Sequence, residues 1–186
     1  LILDPNSIKY ELEYSLYLAT SGRPGPILLD IPIDVQKAEI DTEKLKGFIQ
    51  PKSDINSINL DELDKELEKL HIDIQKSSRP VFLIGGGVQS AKAIDDLQEL
   101  GNILEIPMYP TWNALDIVTS DYKYYCGRIG TYGGAGRNFG IQNSDLLISI
   151  GSRISGRITG GNPKTFARAA KKYMVDVDPA VLKKEF

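Results

Sequence analysis

An α/β architecture, a doubly wound parallel sheet with helices on both faces, is expected for most of this 186-residue chain. From Val81 onward, short apolar runs alternate with amphipathic stretches, the pattern of strands joined through crossover helices. Those runs are apolar almost throughout, as strands buried on both sides must be. Two of them lead straight into glycine, at Gly85 and Gly151, where a parallel strand turns at its carboxyl end.

Each element has its own signal. Asn6 or Ser7 can cap a first helix with Ile8, Leu12, Leu16 and Ala19 along one face. Gly22 suits the left-handed residue after its end. Arg23-Pro24-Gly25-Pro26 makes a stiff turn, and Ile27 to Ile31 reads as a short strand that Pro32 ends. Residues 37–56 are polar and aperiodic, and read as a linker. Asn59 with Glu62 forms a capping box for a helix carrying Leu60, Leu63, Leu67, Leu70 and Ile74. Ser77-Ser78-Arg79-Pro80 breaks it. Val81 to Ile84 is then a strand, followed by Gly85-Gly86-Gly87 and a helix through Leu100. Ile106 to Trp112 is a second strand, a glycine-dense loop and short helix span 127–143, and Leu146 to Ile150 and Tyr173 to Val177 are strands three and four. Asp178 and Pro179 supply the N-cap and first residue of a last helix.

That helix has room for about two turns before Phe186, and the first helix–strand pair has no sheet to join. With no initiating Met, the chain is expected to be a portion of a longer protein. Its organisation reads as 1–36, a helix–strand unit; 37–56, a linker; and 57–186, a nucleotide-binding type of domain. Residues 1–36 are expected to pack on that domain or on another copy, since an exposed apolar patch drives association.

Composition removes several functions. The net charge of −3 offers no basic face for nucleic acid. One Cys, Cys126, excludes an internal disulfide and fits a reducing, cytoplasmic setting. One His, His71, argues against a Ser-His-Asp centre or a His-rich zinc site. The apolar runs are too short to span a membrane, and no signal peptide is visible.

Four segments could carry chemistry. Gly85-Gly86-Gly87 lets backbone approach a ligand, with a helix N-terminus behind it to favour an anion; a tight turn without ligand is the competing reading. It matches G-x-G-x-x-G only in part, because Ser90 stands at the third glycine, and no acid follows the second strand to take a ribose. Six glycines between 127 and 140 suit either close approach to a flat or phosphorylated ligand or a flexible surface loop. Gly151-Ser152-Arg153-Ile154-Ser155-Gly156-Arg157 follows a strand, so Arg153 and Arg157 can hold a pyrophosphate or simply be solvated. Asp176 closes the fourth strand and could accept from ribose or adenine, while Asp178 is most simply a helix cap.

Taken together these residues resemble a known family. Ser21-Gly22-Arg23-Pro24-Gly25-Pro26-Ile27-Leu28-Leu29-Asp30-Ile31-Pro32 through Gln36 is similar to the end of the pyrimidine-binding domain of thiamine-diphosphate enzymes. Residues 79–186 resemble their central domain, nearest to acetolactate (acetohydroxyacid) synthase large subunits. Arg79-Pro80 with the triple glycine, Ser144-Asp145-Leu146-Leu147-Ile148, Gly151-Ser152-Arg153, Arg157-Ile158-Thr159-Gly160 and Val175-Asp176-Val177-Asp178-Pro179 carry the likeness.

The resemblance implies a transferase of branched-chain amino-acid biosynthesis, and a homo-oligomer. Such a parent decarboxylates a 2-oxo acid and passes on the two-carbon unit, and thiamine supplies the carbanion chemistry. It also implies that thiamine diphosphate and magnesium are held by other domains, so the chain alone is inactive and carries no catalytic or metal-binding residue. In this domain it implies FAD contacts from Gly85, Gly86, Thr111, Trp112, Ile129, Gly130, Thr131, Tyr132, Gly151, Ser152, Arg153, Arg157, Asp176 and Val177. The family commonly has Met-His at Thr131-Tyr132 and Phe-Asp-Asp at Ile154-Ser155-Gly156, so FAD, ADP and an empty pocket all stay open. A stand-alone NAD-binding domain and a structural domain with a vestigial pocket are the other readings.

Overall fold

The computed structural model describes residues 1–51 and 59–184, so the end of the expected linker, residues 52–56, lies outside the described residues. The chain divides into two compact units, Leu1–Ile58 and Asn59–Phe186.

In the first unit, helix α1 spans Ile8–Thr20. Its start is set by Asp4, not by Asn6 or Ser7: the Asp4 carboxylate accepts from the Asn6 amide at 2.9 Å, heading a turn of 3-10 helix at Pro5–Ser7. The buried side of α1 also differs from the expected stripe. Leu12 and Leu16 are exposed, while Tyr10, Tyr14 and Tyr17 gather around Phe48 at centroid distances of 5.7, 5.0 and 5.2 Å. Glu13 anchors the same segment by accepting from the Phe48 amide at 2.7 Å. The chain around Phe48 is thus folded back onto α1. Between them, helix α2 runs over Ile33–Lys37.

Ile27–Ile31 is not a ladder strand. It carries no regular secondary structure, and among the described residues its one backbone–backbone bond is from the Ile2 amide to Asp30 O at 2.9 Å. A strand needs a neighbour, and no described segment supplies one.

The Phe48 cluster has a direct test. Aromatic pairs of this geometry contribute about 0.5–1.5 kcal/mol each, so Phe48→Ala should raise the open population of residues 38–51 at least several-fold. Trypsin should then cut at Lys44 and Lys46 correspondingly faster. Equal cutting rates in variant and wild type would show that the ring cluster does not hold the segment.

The second unit begins with helix α3, Leu60–Lys76, capped as expected by Asn59, whose side chain accepts from the Glu62 amide at 3.3 Å. Strand β1 covers Pro80–Ile84. The following helix is broken in two: α4 at Gly87–Ser90 and α5 at Ile94–Leu104, parted where Lys92 takes a φ of +57°. Strand β2 is only Met108–Pro110, short of the expected Ile106–Trp112, because Pro107 has no ladder donor at its start and the chain turns into a 3-10 helix at Trp112–Ala114. Helix α6 is Ala135–Gln142, β3 is Leu146–Ile150 and helix α7 is Gly156–Thr159. Strand β4, Lys171–Val175, lies two residues earlier than expected, and helix α8, Pro179–Leu182, is capped by Asp178.

All pairs are parallel, in the order β2-β1-β3-β4. Register sets the two faces. Phe82, Ile84, Leu146 and Ile148 pack with Leu70 and Ile74 of α3 and Leu97 of α5. Val81, Leu83 and Leu147 point the other way, onto Ile141 of α6 and onto Phe166. Helices therefore cover both faces. At the amino edge, Asp145 joins the strand starts: it accepts from Ser77 Oγ, from the Ser78 amide at 2.9 Å and from the Arg79 amide at 3.0 Å.

Candidate functional site at the carboxyl edge of the sheet

From β1 the chain crosses to β2 on one side, then returns past β1 to β3 on the other. The turns after β1 and β3 diverge there, which is where open parallel sheets form a crevice. In this chain those turns interlock. A Cβ on Gly85 would lie 2.1 Å from Gly151 O, and one on Gly87 would lie 2.7 Å from Gly151 Cα. Gly151 itself has a φ of +62°. The first need for glycine here is therefore backbone against backbone.

The interlock decides which donors remain. The Gly85 amide donates to Ile150 O at 2.9 Å, Gly87 to Gly151 O at 3.0 Å and Gly151 to Val175 O at 2.8 Å. The amides of Gly86, Ser152 and Arg153 take no partner among the described residues. Helix α4 has one turn, too short for the helix-dipole contribution expected of it. Any anion held here is held by the three open amides and by side chains.

Arg153 and Arg157 supply those side chains. Both are exposed, and neither guanidinium has a partner among the described residues. The Arg153 carbonyl accepts from Lys184 Nζ at 2.7 Å, which ties the β3 turn to the end of α8. The Arg157 carbonyl accepts from both the amide and the hydroxyl of Thr131, at 2.8 and 3.0 Å. Asp176 uses one carboxylate oxygen on the Asp178 amide at 3.0 Å, and Val177 is exposed beside it.

The glycine-dense loop is ordered by its own contacts. Asn138 brackets Gly130, accepting from its amide at 2.9 Å and donating to its carbonyl at 3.0 Å. Gly130 has a φ of +100°, and a Cβ there would sit 2.7 Å from Arg157 O. Gly140 makes room for the Tyr109 hydroxyl. That phenol is pushed up to about 12 by burial and by Cys126 beside it, so it stays neutral and packs. Neither a flexible loop nor a ligand is needed to explain most of these glycines.

One residue of the site escaped the sequence. Arg128 lays its guanidinium over the Trp112 ring, 4.4 Å from the centroid, and donates from Nη2 to Tyr132 O at 2.8 Å. Trp112 and Tyr132 meet edge to face at 5.9 Å. They stay 60% and 66% exposed, so this aromatic wall faces solvent. Thr111 is buried behind it, its amide bonded to Ile84 O at 2.7 Å.

Contacts therefore link the expected residues into one rim: Gly85 and Gly86, Thr111 and Trp112, Ile129 to Tyr132, Gly151 to Arg153, and Arg157. Asp176 and Val177 join it through Val175. A cleft of about 210 Å³ shares Ile129, Gly130 and Thr131 with this rim and runs away from it towards Gln142 and Phe166. It is smaller than the roughly 300 Å³ at which ligand pockets usually begin, and it does not include the β1 or β3 turns. The rim, not the cleft, is the candidate site. Among the described residues no three His, Cys, Asp or Glu side chains are placed to hold a metal, and no helix is long and apolar enough to cross a membrane.

Comparison with known proteins agrees with the fold. Residues 67–186 match the family described as thiamine pyrophosphate enzyme, central domain. The chain is 36% identical to the acetolactate synthase isozyme 2 large subunit of Escherichia coli, over 90% of this chain and 29% of that protein. It is 36% identical to the acetolactate synthase large subunit of Corynebacterium glutamicum, over 99% of this chain and 29% of that protein. Against the probable acetolactate synthase large subunit of Methanocaldococcus jannaschii the identity is 35%, over 98% and 31%. The chain spans about three tenths of the length of these relatives.

Proposed function

Because the chain belongs to the thiamine pyrophosphate enzyme family through its central domain, we propose that it is the central portion of an acetolactate-synthase-like enzyme. That enzyme decarboxylates a 2-oxo acid and transfers the two-carbon unit. Thiamine diphosphate, held with magnesium outside these residues, supplies the carbanion chemistry when bound. This central portion is a scaffold that takes a nucleotide, FAD or ADP, at the carboxyl edge of its sheet. The exposed Leu12, Leu16 and Leu28 of the first unit are read as the face that meets the remaining domains or a second copy.

One observation carries the nucleotide reading: the open amides of Gly86, Ser152 and Arg153 stand with two arginines that have no partner among the described residues, and with an exposed aromatic wall. Amides and guanidinium groups suit a phosphate, and flat rings suit a base or flavin. An absorption spectrum of the purified chain, with mass analysis of anything released on denaturation, identifies the ligand. Affinity for ADP or FAD should fall by about 1.5–3 kcal/mol in Arg153→Ala, the scale of a charge-assisted bond. Arg153→Lys should recover part of it, since an ammonium lacks the fork. The melting temperature should hardly move. Unchanged affinity would make Arg153 a solvated loop residue and favour a scaffold without ligand, which the self-sufficient interlock of the two turns would permit.

A further inference from the structure

We propose that Arg128 is a positioning residue of this site, holding Trp112 and Tyr132 as a stacking wall for a planar heteroaromatic ring whose phosphate end lies at the β1 and β3 turns. The inference rests on the nucleotide reading and specifies how the ring end is held.

Three features carry it. First, the Arg128 backbone is bracketed by Gly127 and Gly130, with φ of +84° and +100°, and by buried Ile129. Its side chain thus leaves a constrained loop. Second, the guanidinium is spent on the wall itself: its face on Trp112, Nη2 on the Tyr132 carbonyl, and a buried Nε with no partner among the described residues. A buried donor left unpaired is costly, and it persists where the stacked arrangement over-determines it. A freely solvated arginine would turn Nε to water. Third, the wall adjoins the anion seat, because a Cβ on Gly86 would meet Asn113 O, the residue after Trp112, at 2.8 Å. Two large rings left open next to unpaired amides match a ligand with a flat end and an anionic end.

Trp112 is the chain's one tryptophan, so its emission reports on the wall alone. Wild type, Arg128→Ala and Arg128→Lys are titrated with FMN, ADP and inorganic pyrophosphate, by Trp112 emission and by calorimetry. Arg128→Ala should weaken FMN or ADP by about tenfold, in the range expected for losing a cation–aromatic contact and the order it imposes. Pyrophosphate should bind within about twofold of wild type, because it has no ring to stack. Arg128→Lys should recover part of the ring-dependent affinity. Whichever of FMN and ADP shows the larger loss names the ring seated on the wall. An equal loss for pyrophosphate would overturn the proposal, marking Arg128 as a general structural support. Unchanged affinity for all three probes would overturn it too. Wild type that binds pyrophosphate but neither ring compound removes the wall and leaves the anion seat. Wild type that binds none of the three removes the nucleotide reading and this inference with it.

Discussion

Replacing Gly85 by alanine should cost about 4 kcal/mol or more, a large share of a total domain stability of the order of 5–15 kcal/mol. The new Cβ would lie 2.1 Å from Gly151 O, 2.5 Å from Gly151 C and 2.6 Å from Ser152 Cα. All three are backbone atoms, so no side chain can swing aside. Relief requires parting the turns after β1 and β3, the two central strands. Gly136→Ala is the control: nothing stands within 4 Å of its Cβ position, and it lies inside α6. There the change should stabilise by up to about 1 kcal/mol. Thermal melts of the two variants beside wild type decide the matter. A Gly85→Ala protein melting within a few degrees of wild type would show that the interlock can open at little cost.

Asp145→Ala should cost about 2–3 kcal/mol, because three donors at the amino edge lose a charged acceptor together. The Asp145 backbone also accepts from the Lys171 amide at 2.9 Å, so one residue gathers the starts of β1, β3 and β4. Burial by itself would raise this carboxyl. Hydrogen bonds from Ser77, Ser78 and Arg79, with the Arg79 charge, outweigh it and hold the group below the ordinary value near 3.8. The sign of the pH effect follows. A carboxyl depressed in the folded state stabilises fully above its unfolded value, and the benefit disappears as pH falls through the folded value. Wild type should therefore lose stability as pH falls through and below the unfolded value near 3.8, more steeply than Asp145→Ala. Parallel acid titration curves for the two proteins would show that the carboxylate contributes nothing as an ion.

The two central strands, β1 and β3, were legible because they announce themselves twice, by a largely apolar run and by the glycine that follows it. Ile27–Ile31 has the same apolar signal and forms no ladder: a strand is a property of a pair, and composition reports only one member. Tyr10, Tyr14 and Tyr17 recur at helical spacing as regularly as the leucines beside them, yet only the position of Phe48, far along the chain, decides which stripe is covered. The candidate rim was legible as glycine, but not what the glycine meets. Close approach to a phosphate and close approach to another turn demand the same residue, so Gly85 and Gly87 look identical under either need. Arg128 left no local trace. Its role arises from rings at Trp112 and Tyr132 that the fold brings to it.

The central position of β1 has a consequence in time. Phe82 pairs with Met108 on one side and with Ile148, much further along the chain, on the other. Closing the longer loop costs roughly 0.8 kcal/mol more in chain entropy. During synthesis β1, α5 and β2 leave the ribosome well before β3 does. Until Leu146–Ile150 arrives, one edge of Val81-Phe82-Leu83-Ile84 stands uncovered, with no charge or proline inside those four residues to discourage a foreign strand. The segment that becomes the most protected in the finished sheet is thus, while the chain is still growing, the one most open to pairing with the wrong neighbour.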